Sequence, residues 1–256
     1  PIWKDKTETA SRVRGRIQAV LDYAIVKKYR PAPNPAVWEG NLSVLLPSKP
    51  KSPQNHPALA LEDAPRWWRE LKRRDGAGAK ALMLLTLTAA RSGEIRGIRW
   101  DEITLFAKDV SSEKRYAGIW TRPAERMKAK VAHRVPITSA MLDLLPKDNN
   151  QTGLIFASKS GKALSDMTLS ALMRRMHQAD ETGYVDKTSS RPAVPHGIRS
   201  TFRDWVAEGG HSREAAEFQL AHKFGSEVEH AYYRTDLIDA RAELMNKWHA
   251  FLEGGT

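Results

Sequence analysis

The chain has 256 residues, which is enough for one large domain or for one and a half smaller ones. It contains no cysteine, which excludes disulfides, thiolate nucleophiles and cysteine-based zinc sites, and no apolar run reaches the roughly 18 residues of a membrane span. Lysine and arginine number 41 against 30 aspartate and glutamate, so the net charge of +11 makes a polyanion the leading class of partner.

The N-terminal part of the chain carries one helical pattern. Apolar residues recur with a helical period from Ser11 to Ala24, and Thr7 or Thr9 is placed to cap the start of that helix. The first residue is Pro1, and the residues after it lack the features of a signal peptide. We therefore expect a fragment whose upstream part is missing.

A proline-rich segment separates this helix from the rest of the chain. Seven of the fourteen prolines fall between Pro31 and Pro57, so the segment is poor in backbone donors and is expected to be neither helix nor central strand. The predicted organisation is a truncated helical piece at 1–30, a linker at 31–57 and the main domain at 58–256.

The main domain begins with helices and then changes character. A helix is predicted near Ala64 to Lys72, and the stretch Ala81–Ala90 is apolar on every side, as in a buried helix that delivers Arg91 at its end. Ile119–Trp120 and Val135–Ile137 are short strand candidates with a basic stretch between them. A small antiparallel sheet is therefore expected.

Helical patterns return after Ser165. Leu169, Leu172, Met173 and Met176 share one face, Ile198, Phe202, Trp205 and Val206 share another, and Gly209-Gly210 ends the second helix. A capping box at 226–229 predicts a further helix that carries Tyr232. The last apolar stripe either packs on its own domain or docks on a neighbouring copy, and its residues are Leu237, Leu244, Trp248, Phe251 and Leu252.

Five segments supply residue types that suit the transfer of a phosphodiester: Arg91, Lys128, His196 with Arg199, His222, and Tyr232. Each segment alone is weak evidence for catalysis. An arginine after a buried helix is favoured by the helix dipole, a basic run is commonly a solvated hairpin, and a lone histidine commonly has a structural role. Lys130 competes with Lys128, and Tyr233 competes with Tyr232, since adjacent helical residues point about 100° apart.

Together and in this order, these segments resemble the catalytic domain of tyrosine recombinases, most closely the integrases of prophages and genomic islands. The resemblance covers nearly the whole chain. It is carried by Ala-Ala-Arg-Ser-Gly-Glu-Ile-Arg, Met-Lys-(x4)-His-Arg-Val-Pro-Ile, His-Gly-Ile-Arg, and Leu-Ala-His followed ten residues on by Tyr232. Ala221 departs from the family, in which glycine often precedes the last histidine. The resemblance implies a mainly helical catalytic domain with a small three-stranded antiparallel sheet, and the end of a core-binding domain at 1–30.

The resemblance also implies a role for each site residue. Arg91 and Arg199 would clamp the scissile phosphate, because an arginine stays charged and its planar fork matches phosphate oxygens, and Glu94 would hold Arg91 in place. His196 would accept the tyrosine proton, and His222 would hydrogen-bond a phosphate oxygen. Lys128 would protonate the leaving 5′ oxygen, and Tyr232 would form a 3′-phosphotyrosyl link. DNA contacts are expected from Arg122, Arg126, Lys130 and Arg134, with no metal and no cofactor.

The predicted function is site-specific recombination that integrates or excises a prophage or genomic island. Expected partners are double-stranded DNA at attachment sites, three further copies in a homo-tetramer, an excisionase and a DNA-bending host factor, in the bacterial cytoplasm at the nucleoid and away from membranes. A type IB topoisomerase-like enzyme and a non-catalytic or regulatory DNA-binding module remain alternatives. A metal-dependent nuclease is disfavoured, since the sequence lacks a diagnostic acidic or histidine motif.

Overall fold

The computed structural model of the chain describes residues 2–48, 55–107, 115–127, 130–147, 152–222 and 235–255. It divides into two compact units, Pro1–Gln54 and Asn55–Thr256. Within the described ranges, no helix is long and apolar enough to cross a membrane. The same ranges contain no group of three or more histidine, aspartate or glutamate side chains that could hold a metal ion.

The first unit is built on a helix at Thr7–Val26, which follows a short helix at Ile2–Asp5. The predicted threonine cap is wrong, because Lys6 is the N-cap residue and the Thr7 hydroxyl donates instead to the Trp3 carbonyl at 2.8 Å. Contrary to expectation, the linker contains a short helix, at Ser43–Leu45; the turn at Trp38–Leu42 before it includes Glu39 and Gly40 in non-helical backbone conformations. These turns fit between Pro35 and Pro47, where no proline removes a backbone donor.

The second unit has its core around the helix Ala77–Thr88, on which nine of the twelve side chains are buried. Such all-round burial needs neighbours on every side, and the helix contacts Ala64–Lys72, Met167–Ala179 and the C-terminal helix Ile238–Leu252. Among the described residues of this unit, the remaining helices are Ser92–Arg96, Ser139–Leu142, Ile198–Glu208 and Arg213–Gln219, with single 3₁₀ turns at Leu61–Asp63, Trp100–Glu102 and Ala124–Arg126.

Three antiparallel strands form the sheet in the order β1 (Ile103–Leu105), β2 (Gly118–Arg122) and β3 (His133–Ile137). Trp120 lies opposite Ile103 on one side and Val135 on the other, and the buried Trp120 and Val135 join the main core. The mainly helical fold with a small antiparallel sheet is therefore confirmed.

The C-terminal apolar stripe packs on its own unit. Leu244, Trp248 and Leu252 are buried in the main core, and the Trp248 indole donates to the Thr86 carbonyl at 2.9 Å. Of the two interpretations left open by the sequence, packing within one chain is the one observed. This helix thereby braces the buried Ala77–Thr88 helix from which the candidate site begins.

Candidate functional site

The candidate site starts at the end of the buried helix Ala77–Thr88. Ala89 adopts a left-handed conformation, with φ of 49°, so the chain turns sharply after the helix. Arg91 follows in an extended conformation and is the N-cap of the helix Ser92–Arg96. Arg91 is therefore at the start of a new helix and is not a cation at the C-terminus of the buried one.

Glu94 binds both the backbone and the side chain of Arg91. One carboxylate oxygen accepts a hydrogen bond from the Arg91 backbone N–H at 2.8 Å, and the other accepts from the Arg91 guanidinium at 3.0 Å. The Arg91 side chain keeps 31% of its surface exposed while that of Glu94 is 11% exposed. The guanidinium is thus oriented by a nearly buried carboxylate and still reaches solvent.

Arg199 is tied to the same turn. It lies in the first turn of Ile198–Glu208, is 4% exposed, and donates to the Ala89 carbonyl at 2.6 Å and the Leu220 carbonyl at 2.7 Å. Burial, and next the charge of Arg91, lower the pKa of Arg199 to about 10. The guanidinium therefore stays charged at neutral pH, beside a second cation.

His222 lies between Arg199 and a buried acid. Its Nε2 is 2.9 Å from Arg199 Nη2, and its Nδ1 is 2.8 Å from a carboxylate oxygen of Glu217. The preceding residue, Ala221, has φ of 50°. A left-handed backbone costs an L-residue about 1–2 kcal/mol, which accounts for the preference for glycine that the resemblance implies at this position.

His196 lies two residues before the helix that carries Arg199, and its ring contacts that of His56 with centroids 4.3 Å apart. Loss of solvation, followed by the charges of His56, Arg199 and Arg91, lowers the pKa of His196 to about 4. The imidazole is therefore neutral at neutral pH and able to accept a proton. No local pattern marks His56 as part of the site, because it lies 140 positions from His196.

The predicted DNA contact at Arg122 does not fit the structure. Its side chain is only 2% exposed, pairs with Glu94 and His133, and lies over the Trp120 ring at 4.8 Å. Loss of solvation, partly offset by the Glu94 charge, lowers the pKa of Arg122 to about 10, so it remains a cation. Arg122 is a buried counter-charge for Glu94, placed there because it shares the inner face of β2 with Trp120.

The other basic residues predicted to contact DNA differ in exposure. Arg126 pairs with Glu102 and donates to the Glu94 carbonyl at 3.3 Å, with 30% of its side chain exposed. Arg134 is half exposed, with one contact to Asp236 at 3.3 Å, and Lys130 is exposed. Lys130 and Arg134 are therefore more accessible to DNA than Arg126.

Two of the predicted site residues, Lys128 and Tyr232, lie outside the described residues, as does Tyr233, the alternative to Tyr232. Of the other catalytic and supporting candidates, Arg91, Glu94, Arg199 and His222 meet around the turn at Ala89. Together with burial and the charge of His56, the charges of Arg199, Arg91 and His222 lower the pKa of His196. A cavity of about 300 Å³ opens beside Arg91, and its walls are Arg91, Gly93, Glu94, Arg122, Arg126 and Met127. Fixed cations around such a space are suited to bind and stabilise a phosphate group.

Comparison with known proteins gives matches along both units. The profile described as phage integrase family matches residues 65–237, and the profile described as phage integrase central domain matches residues 1–41. The integrase of Enterobacteria phage P4 is 29% identical over 97% of this chain and 56% of its own length. The integrase of Shigella phage Sf6 is 28% identical over 96% of this chain and 59% of its own. The chain thus spans a little more than half the length of these curated relatives.

Among solved structures, a lambda integrase dimer bound to a COC′ core site superposes with a TM-score of 0.58. The match covers 87% of this chain and 75% of that one at 18% sequence identity. At this identity the likeness establishes the fold, which is that of a tyrosine recombinase catalytic domain.

Proposed function

Because the chain belongs to the phage integrase family, whose profile matches residues 65–237, we propose that it is a tyrosine site-specific recombinase. It cleaves and rejoins double-stranded DNA through a 3′-phosphotyrosyl intermediate, and so integrates or excises a prophage or genomic island. The observation that carries the proposal is the convergence of Arg91, Arg199 and His222 on the turn at Ala89, from three separate segments of the chain.

The two arginines bind the scissile phosphate. Attack on phosphorus increases the negative charge on the non-bridging oxygens, and charges that are already fixed in place stabilise it without reorganisation. Arg199 is fixed by two backbone carbonyls, and Arg91 is fixed by Glu94. His222 supplies a further hydrogen bond to a phosphate oxygen.

Proton transfer accompanies the attack. The Tyr232 hydroxyl, whose ordinary pKa is about 10, loses its proton as its oxygen bonds to phosphorus. His196 is neutral and accepts that proton, directly or through the bound phosphate. The P–O5′ bond breaks, and Lys128 protonates the leaving oxygen. The phosphodiester is retained as a phosphotyrosine, so a 5′ hydroxyl from another strand reverses the step without ATP.

The wider organisation is part of the same proposal. Residues 1–30 are the end of a core-binding domain, 31–57 a linker and 58–256 the catalytic domain, which is supported by the two family profiles and by the division into compact units after residue 54. Double-stranded DNA is the substrate, four copies assemble on it, and an excisionase and a DNA-bending host factor assist in the bacterial cytoplasm. Lys130 and Arg134 contact the DNA backbone.

The test is covalent trapping on a nicked suicide DNA that bears the attachment core of the element carrying the gene, with EDTA present. We expect a denaturation-resistant adduct with the wild-type chain and with Tyr233→Phe, and none with Tyr232→Phe. Salt-sensitive DNA binding without any adduct would instead favour the binding-module alternative. Relaxation of a single supercoiled duplex without strand exchange would favour the topoisomerase alternative.

A further inference from the structure

Glu217 is a buried acid beside the site to which neither the resemblance nor the proposed reaction gives a role. It lies on the helix Arg213–Gln219 with its side chain 6% exposed. One carboxylate oxygen contacts His222 Nδ1 at 2.8 Å, and the other contacts Arg203 Nη2 at 3.0 Å. Burial of a carboxylate is costly unless it is paired, so these two contacts are needed to offset the cost of burying Glu217.

The contacts of His222 determine which of its ring nitrogens carries the proton. Arginine can only donate, so the Arg199 Nη2–H group points at His222 Nε2, which must accept. The Glu217 carboxylate can only accept, so His222 Nδ1 must carry the proton. In the chain without DNA, His222 is therefore the neutral tautomer with its proton on Nδ1.

This tautomer changes what binding a phosphate requires. With Nδ1 committed to Glu217, a phosphate oxygen can contact only Nε2, in place of the Arg199 N–H group, and Nε2 donates only after the ring gains a second proton. Two neighbouring groups oppose that gain, because Arg199 and Arg203 are cations. Burial also lowers the pKa of His222, whereas the contact with Glu217 raises it.

We propose that Glu217 is a positioning residue for strand transfer: it holds His222 through Nδ1 and stabilises the imidazolium that donates from Nε2 to the scissile phosphate. This inference rests on the proposed function. Glu217 itself touches neither DNA nor the reacting atoms. Its carboxylate orients the His222 ring, as carboxylates orient histidines in other catalytic and metal-binding sites.

If the role of Glu217 were purely structural, substitutions at its contacts would have different effects. If the carboxylate only ties Arg203 to the helix Arg213–Gln219, then Arg203→Gln should reproduce every effect of Glu217→Gln. Arg203 keeps 52% of its side chain exposed, so its replacement disturbs little packing. Because Arg203 is also a cation that disfavours the charged form of His222, Arg203→Gln should leave the titration midpoint of His222 unchanged or raise it.

The first experiment uses ¹⁵N chemical shifts of the His222 ring in the full chain without DNA. We expect a protonated Nδ1 and an unprotonated Nε2 in the wild type, a result that does not depend on the folding of any variant. Glu217→Gln keeps the size of the side chain and removes the charge. It should lower the titration midpoint of His222 by about one pH unit, the smaller end of the effect of a close opposite charge.

The second experiment measures the rate of adduct formation on the suicide DNA against pH. Glu217→Gln should move the alkaline limb of the profile down by about one pH unit, which lowers the rate about tenfold on that side because the charged fraction falls tenfold. In a His222→Gln background, Glu217→Gln should have no additional effect, since the partner through which it acts is gone.

The outcomes separate the two proposals. An adduct whose pH profile is the same in wild type and Glu217→Gln would overturn the role of Glu217 and leave the recombinase function standing. The same holds if the wild-type tautomer carries its proton on Nε2, or if Arg203→Gln reproduces the loss. Absence of an adduct from the wild-type chain on a DNA that it binds would overturn the proposed function, and the inference with it.

Discussion

Glu94→Ala should destabilise the unit of residues 55–256 far more than a surface substitution does. The change leaves the Arg122 guanidinium, 2% exposed, without its counter-charge. Among the described residues, Arg122 Nε has no hydrogen-bond partner, and the other contacts of the guanidinium, with His133 and the Trp120 ring, carry no negative charge. Removing one partner of a buried ion pair typically costs about 3–5 kcal/mol. For a domain of this size, that corresponds to a fall in Tm of about 6–20 °C.

The measurement is urea unfolding of the full chain, followed by the fluorescence of the buried tryptophans of this unit, such as Trp67 and Trp120. Glu243→Ala is the matched control, because it removes an exposed contact with Lys247 and should leave the midpoint near that of the wild type. The double variant Glu94→Ala with Arg122→Met should recover most of the loss, since apolar replacement of a whole buried pair is often neutral.

Two results would refute this reasoning. The first is a Glu94→Ala midpoint equal to that of Glu243→Ala, which would mean that Arg122 finds solvent or another partner at little cost. The second is a double variant as unstable as the single one, which would assign the loss to packing around position 94. Either result would also remove Arg122 as the counter-charge that keeps Glu94 ionised.

Three further predictions follow from the same geometry. In the DNA-free chain, His196 should titrate by NMR near pH 4, and His56→Ala should raise that midpoint toward 6.5; an unchanged midpoint would mean that the ring contact has no electrostatic effect. Burial alone would raise the pKa of Glu94, but the neighbouring arginines outweigh it and lower the pKa. Its contribution to stability is therefore present above the unfolded pKa of about 4.3 and lost as pH falls, so Glu94→Gln should flatten the loss of Tm in acid. Gly197→Ala should lower Tm and abolish the adduct, because a Cβ there would lie 1.8 Å from the Pro57 carbonyl oxygen; a wild-type Tm would contradict this close approach.

Several of the longer helices of the second unit could be predicted from the sequence because their apolar residues recur with a helical period. The predicted helix Ala64–Lys72 has the observed bounds, and the four residues from Leu169 to Met176 expected on one face are all buried. Periodicity works here because burial of one helical face is what stabilises each of these helices.

Charge was a poorer guide than periodicity at the candidate site. Arg122 belongs to a basic run and was therefore expected to contact DNA, yet in a strand it shares a face with Trp120, two positions earlier. Reading β2 with a period of two would have placed Arg122 inward. Contacts such as His56 with His196 join distant segments, and no local pattern in the sequence predicts them.

The attachment of Arg199 to the carbonyls of Ala89 and Leu220 has an evolutionary consequence. Every amino acid has a carbonyl, so substitutions at the two supporting positions can change the side chains there without removing the acceptors. The requirement at position 89 is one of backbone shape, a left-handed turn that glycine would adopt with even less strain. A protein built in this way can diverge widely around Arg199 while the guanidinium keeps its position.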